Sequence, residues 1–171
     1  KGKLPEHLHY NTLYAQKDRI FVIAHMHMAQ ESLALEFLRG KGASNLAYKG
    51  KHRCGLGAHN IFPLGGRLAT LDSNRGRIVP MGRVEEVLYE GPTGHILRGV
   101  SRPGGGLVVG CSALEPDRRL RTLVHGDLLI WRDADLKKKP VVHAMGQGPI
   151  SDIRCLDAPD PAHWPNLPLR K

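Results

Sequence analysis

The sequence predicts a mainly β chain organised around a small barrel, and three observations carry that expectation. Glycine (20) and proline (12) are abundant among the 171 residues, which favours turns over long helices. From about residue 49 to 157, short apolar runs are separated by connections such as Asp72-Ser73-Asn74-Arg75-Gly76, Gly91-Pro92-Thr93-Gly94 and Pro103-Gly104-Gly105-Gly106. No helical period intervenes between those runs, and five or so short strands joined by hairpin-type turns favour a barrel.

Taken in chain order, residues 1–18 show no convincing period and read as an extended arm. They contain no apolar stretch of signal-peptide length. Ile20-Phe21-Val22-Ile23 suits a short strand or the start of a helix. Ala29 to Arg39 predicts a helix, because Gln, Glu, Ala and Leu are good helix formers and Leu33 with Phe37 makes an i, i+4 pair. Gly40 and Gly42 then stop it. The first 47 residues therefore form an N-terminal arm and helix, followed by the barrel over 48–131. Its candidate strands are Arg67–Leu71, Arg83–Tyr89, Gly94–Val100, Leu107–Cys111 and Asp127–Trp131. A shorter strand region, 132–157, follows with candidates Val141–His143 and Ile150–Leu156. Lys137-Lys138-Lys139, after Asp133 and Asp135, reads as a charged turn. Residues 158–171 hold Pro159, Pro161, Pro165 and Pro168 and are expected to lie as an irregular tail on a surface or a partner.

The net charge is +9, and its location is informative. Between residues 40 and 83 eight bases (Lys41, Lys49, Lys51, Arg53, Arg67, Arg75, Arg77, Arg83) face Asp72 alone. A polyanion is the expected partner, with binding that weakens steeply in salt. Aromatic residues are only 5%, too few for a protein that grips single strands by stacking bases. Three cysteines make no disulfide framework. No apolar run reaches the roughly 20 residues of a membrane-spanning helix.

The most unusual string is Lys51-His52-Arg53-Cys54-Gly55-Leu56-Gly57-Ala58-His59. Its spaced glycines allow close backbone approach, and its Arg, Lys and His supply donors for phosphate oxygens. No Gly-Lys-Ser/Thr follows, so it is not a P-loop. His52, Cys54 and His59 are also soft metal ligands, but the paired short spacings of a zinc site are missing. The His-x-His pairs, His7/His9 and His25/His27, are more simply read as chance spacing among ten histidines. There is no Gly-x-Ser-x-Gly elbow, and Glu85 and Glu86, adjacent in a candidate strand, would point to opposite faces. No catalytic residue, metal site or cofactor is nominated, and no enzymatic activity is expected.

Three landmarks, in order, resemble the universal large-subunit ribosomal protein number two family, which binds large-subunit ribosomal RNA. His52-Arg53-Cys54-Gly55-Leu56-Gly57-Ala58-His59 is similar to that family's His-Arg-Gly-Gly-Gly-His-Lys. Pro80-Met81-Gly82-Arg83-Val84-Glu85-Glu86-Val87-Leu88-Tyr89-Glu90 resembles its Pro-Ala-Lys-Val-Glu-x-Ile-Glu-Tyr-Asp segment, with one residue inserted. Val124-His125-Gly126-Asp127-Leu128-Leu129-Ile130 resembles its Lys-Val-Gly-Asp-x-Ile strand. Gly148-Pro149-Ile150-Ser151-Asp152-Ile153 is a fainter echo of the motif that opens the family's second barrel. The resemblance covers residues 48–157. It implies an OB-like first barrel and a truncated SH3-like region. It also implies a structural role in a large ribosomal subunit, with neighbouring ribosomal proteins as further partners. A divergent, shortened chain with extra arms fits a mitochondrial ribosome, the alternative being a cytoplasmic or other organellar one. A separate polypeptide is a candidate supplier of the absent part of the second barrel. The expected RNA-binding residues are Lys49, Lys51, His52, Arg53, Gly55, Gly57, His59, Arg67, Arg75, Arg77 and Arg83. Two rival functions remain: a free-standing OB-type nucleic-acid-binding factor, and a zinc-dependent enzyme using His52, Cys54 and His59.

Overall fold

A computed structural model describes residues 9–25, 30–40, 45–117, 119–156 and 160–162. They form three four-stranded antiparallel sheets with almost no helix. The first sheet runs β1 (His9–Gln16), β2 (Arg19–His25), β3 (Glu31–Arg39) and β4 (Leu46–Leu56) in sequence order. The second runs β5 (His59–Leu64), β6 (Arg67–Asp72), β7 (Arg77–Pro80) and the two-residue β8 (Tyr89–Glu90). The third is ordered β12 (Val141–Gln147), β11 (His125–Trp131), β10 (Leu107–Ala113), β9 (His95–Ser101). Among the described residues no sheet closes on itself, so the mainly β expectation is met without a closed barrel.

The helix expected over Ala29–Arg39 is instead strand β3 from Glu31 onward, Ala29 lying outside the described residues. Helix propensity is worth a few tenths of a kcal/mol per residue, and tertiary pairing overrides it here. β3 is hydrogen-bonded on both sides, to β2 and to β4, and seats Ser32, Ala34 and Glu36 away from water. The arm before residue 18 is also a strand from His9. It turns at Lys17 (φ 55°) and pairs with β2, so Ile20–Ile23 takes the strand alternative. β4 pairs along its length with β3, so residues on both sides of position 48 share one sheet.

Five strand expectations agree closely with β6, β9, β10, β11 and β12. Two do not. Arg83–Tyr89 is a turn-rich connection with pairing only at Tyr89–Glu90, while β7 lies just before it. Ile150–Leu156 crosses the third sheet without joining it. A Cβ on Gly110 would stand 2.5 Å from Ile150 Cγ2, one on Gly126 3.1 Å from Ile150 Cγ1, and one on Gly99 3.0 Å from Asp152 Cα. These glycines, on β10, β11 and β9, make a floor that receives the crossing chain. The described part of the Pro-rich tail is not on the surface. Asp160 and Ala162 are buried, and the Asp160 carboxylate accepts from Ser101 Oγ and from Arg102 N at 2.8 Å.

Two apolar cores hold the sheets together. Tyr14, Phe21, Ile23, Ala34, Cys54 and Ile61 pack the first sheet against β5. Phe62, Leu71, Ile78, Leu97, Val109 and Trp131 fill the space between the second and third sheets. Successive residues of a strand point to opposite faces. β5 uses this to send Ile61 into one core and Phe62 into the other. Trp131 is fixed by an edge-on contact with Tyr89, centroids 4.9 Å apart, and donates Nε1–H to Lys138 O at 2.9 Å.

Gly110→Ala is expected to destabilise the chain by about 1–3 kcal/mol in urea unfolding, since an added methyl overpacks a filled site. An unchanged midpoint would mean that Ile150 does not rest on the glycine floor.

Candidate nucleic-acid interface

The basic string enters the structure as the second half of β4 and the turn into β5. β4 is an edge strand whose first six residues, 46–51, are exposed or half-exposed, and it becomes buried only at Cys54 and Gly55. Along the exposed stretch Lys49 and Lys51 carry no hydrogen bond or ion pair to any described residue.

The arginines behave otherwise. Arg53 donates Nε and Nη2 to the Glu31 carboxylate at 2.6 and 2.8 Å and also pairs with Glu85. Arg67 makes a two-pronged pair with Glu86 at 2.9 and 2.5 Å. Arg77 meets Glu90 at 3.2 Å, and Arg75 meets Asp72 at 3.4 Å. His52 Nε2 lies 2.7 Å from Glu36 Oε2, while Arg19 holds the other oxygen of that carboxylate at 2.6–2.8 Å. Burial alone would raise the Glu36 carboxyl, but the hydrogen bonds from His52 and Arg19 keep it below its ordinary value. Arg83 differs, with a guanidinium that makes no hydrogen bond or ion pair to a described residue. The carboxylates that meet these bases come mostly from outside residues 40–83, so four of the eight bases in the charge peak, Arg53, Arg67, Arg75 and Arg77, are matched in space. Lys41 lies outside the described residues.

A cleft of 360 Å³ opens beside this surface, lined by Arg19, His52, Arg67 and Arg83 with Phe21 and Met81 at its apolar side. Three guanidiniums and an imidazole around one concavity favour an anion even with two of the arginines paired. An arginine fork fits phosphate as well as it fits carboxylate.

The two glycines are placed differently from the cations. Gly55 (φ 91°) lies against the buried Asp72 side chain, and Gly57 (φ 57°) lies so that a Cβ would be 2.6 Å from the Asn74 amide. The close approach they permit is to this chain's own side chains. Asp72 Oδ1 accepts from Leu56 N at 2.7 Å, and Ser32 Oγ accepts from Ala58 N at 3.0 Å. Asn60 N donates to Thr12 Oγ1 at 3.2 Å, and Asn60 Oδ1 accepts from Gly99 N at 3.1 Å. His59 Nδ1 lies 2.7 Å from Gly57 O and 3.0 Å from Ser73 Oγ. Burial, with the nearby Arg98 charge, pushes the His59 imidazole down to about 3, so it is neutral at physiological pH.

The zinc alternative finds its three residues apart in role. His52 is bonded to Glu36, and His59 turns to Ser73. Cys54 is enclosed in the core, where burial raises its thiol to about 12. Among the described residues no three His, Cys, Asp or Glu side chains are grouped to hold a metal ion. Two relevant cations, Arg19 and Arg98, lie outside the predicted set. Arg98 is the one charged side chain in the β9 run His95–Ser101, a signal the sequence offered. In comparisons with known proteins, no family model, curated protein or solved structure matches this chain.

Gly55→Ala should cost about 1–3 kcal/mol, because φ is left-handed and the methyl meets Asp72. Gly65→Ala, also left-handed (φ 56°) but with open space around it, is expected to lose less. Equal urea midpoints for the two variants would contradict the packing. His59 predicts the acid limb of stability. Its folded pKa lies below the ordinary value near 6.5, so the unfolded chain takes up the proton first. Stability is therefore full above about pH 6.5 and falls as the pH drops toward 3. The urea midpoint should decline between pH 7 and 5, before most carboxylates titrate, and His59→Gln should flatten that decline. A wild-type midpoint constant over that range would refute the assignment.

Proposed function

We propose that the chain is a structural, RNA-binding constituent of a large ribosomal subunit, of mitochondrial type. One observation carries the reading: the three family-like landmarks occur in order, and the free cations Lys49, Lys51 and Arg83 lie beside the first two of them. The second and third sheets, face to face over one core, would correspond to the family's OB-like first barrel, open here. The segment after β12 would correspond to the start of its SH3-like region.

Binding is electrostatic and shape-directed. Lys49 and Lys51 project from an exposed edge strand where they can follow a phosphate backbone, and Arg83 with Arg19 and Arg67 lines the cleft that takes a phosphate or 2′-hydroxyl. Arg53, Arg75 and Arg77 contribute mainly by fixing the scaffold through their carboxylates. Gly55, Gly57 and His59 shape the turn that holds β4 in place. The partners are ribosomal RNA and neighbouring ribosomal proteins. A ribosomal constituent co-sediments with a large particle that ribonuclease dissolves, whereas a free-standing nucleic-acid-binding factor stays at the top of the gradient.

The salt dependence of binding to a folded ribosomal RNA fragment separates the two kinds of cation. Lys49→Ala/Lys51→Ala should reduce the slope of log K against log salt by about 1.4–1.8 units, the value for two phosphate contacts. Arg53→Ala should leave the slope within about 0.3 units, since its charge is already matched. The reverse order, with Arg53 carrying the slope, would overturn this division of labour.

A further inference from the structure

The Arg98 side chain is half-buried on β9 and makes no hydrogen bond or ion pair to any described residue. A cation in that position loses part of its hydration with no hydrogen-bonded carboxylate among the described residues to replace it, which is unfavourable unless something else supplies the anion. The other half-buried arginine of β1–β9, Arg77, is matched by Glu90 at 3.2 Å. Burial, and then the charge of Arg121, push the Arg98 guanidinium below its usual pKa.

Arg98 forms one wall of a 230 Å³ cleft, lined also by His59, Ser73, Asn74, Arg121 and Glu115. The cleft carries one carboxylate, that of Glu115, whose Oε1 accepts from Asp117 N at 2.8 Å. Arg121 is held at the rim by its Nε–H donated to Glu115 O at 3.0 Å. Asn74 brings an amide, and Ser73 a hydroxyl, from the 3-10 turn Ser73–Arg75. Arg98 also borders a second cleft, lined among others by Asn11, Asn60, Asp152 and Arg154, in which the Asp152 carboxylate accepts from Arg154 Nε at 2.9 Å.

We propose that this cleft is a phosphate-binding site, with Arg98 as the half-buried anchor, Arg121 as the second fork at the rim and the Asn74 amide as an added donor. Planar guanidiniums take phosphate oxygens two at a time, which suits a tetrahedral anion in a cleft of this size. The site is separate from the Lys49/Lys51 face and does not depend on the ribosomal reading. Its ligand is a phosphate group, either free or part of an RNA backbone.

The test is thermal unfolding of the full chain in a chloride buffer, against the same ionic strength of inorganic phosphate, for wild type, Arg98→Gln and Lys49→Ala/Lys51→Ala. Phosphate at about ten times its Kd should raise the wild-type midpoint by about 3–6 °C, and should do the same in the lysine variant. Arg98→Gln should lose that rise. It should also melt higher than wild type in chloride, because an unmatched half-buried charge has gone, and this keeps the result readable whatever the ligand. A second arm uses an RNA hairpin. If only the hairpin protects, and Arg98→Gln abolishes the protection, the site takes backbone phosphate rather than the free ion. An equal phosphate effect in wild type and Arg98→Gln, or no protection by either phosphate or hairpin, would overturn the proposal.

Discussion

The whole architecture depends on how the turn from Gly55 to Asn60 is tied. Leu56 N is held by the buried Asp72 carboxylate, Ala58 N by Ser32, Asn60 N by Thr12, and Asn60 Oδ1 reaches Gly99. Six residues thus connect β1, β3, β6 and β9, the elements that bring all three sheets into one body. A polar turn buried at such a junction must have each backbone donor met, because an orphaned group costs about 1–3 kcal/mol. Glycine is required at 55 and 57 because a carboxylate and an amide occupy the space where a Cβ would be. Burial raises the Asp72 carboxyl, and the Leu56 N–H and Arg75 offset part of that increase.

With the turn serving the fold, the proposed RNA contact would fall to the cations without internal partners. A count along the chain finds eight bases against one acid between residues 40 and 83. Folding brings Glu31, Glu36, Glu85, Glu86 and Glu90 onto that surface from the flanking segments. Exposed pairs of this kind add little stability individually, about 0–1 kcal/mol, but they decide which charges face outward unmatched. Among the described bases of residues 40–83, Lys49 and Lys51 on the outer half of β4 and Arg83 at the cleft remain without a partner, and Arg98 on β9 is a further unmatched cation.

Much of the β content was legible because β6, β9, β10 and β11 are apolar runs bounded by glycine or proline turns. β3 was hidden by residues that favour helices in isolation. Its neighbours β2 and β4, distant in the notation of local propensity, decide its state. β5 was hidden because both faces are buried, so no polar alternation marks it, and Pro63 argues against a strand. Ile150–Leu156 has the composition of a strand but no free edge to join, and the glycine floor accepts it as a crossing segment instead. Of the candidate site, the cationic region was legible. Which cations are free was not, since that depends on carboxylates contributed by other strands. The unusual glycine spacing was read as a place of close approach to phosphate, and the approach seen at Gly55 and Gly57 is to this chain's own Asp72 and Asn74 side chains.

Amide hydrogen exchange on the free chain tests this most directly. With the turn tied internally, the amides of Leu56, Ala58 and Asn60 are protected without any nucleic acid, and adding RNA changes mainly the outer half of β4. Fast exchange of those three amides in the free chain, with protection arising only when RNA is added, would show that the glycine turn is ordered by nucleic acid and not by Asp72, Ser32 and Thr12.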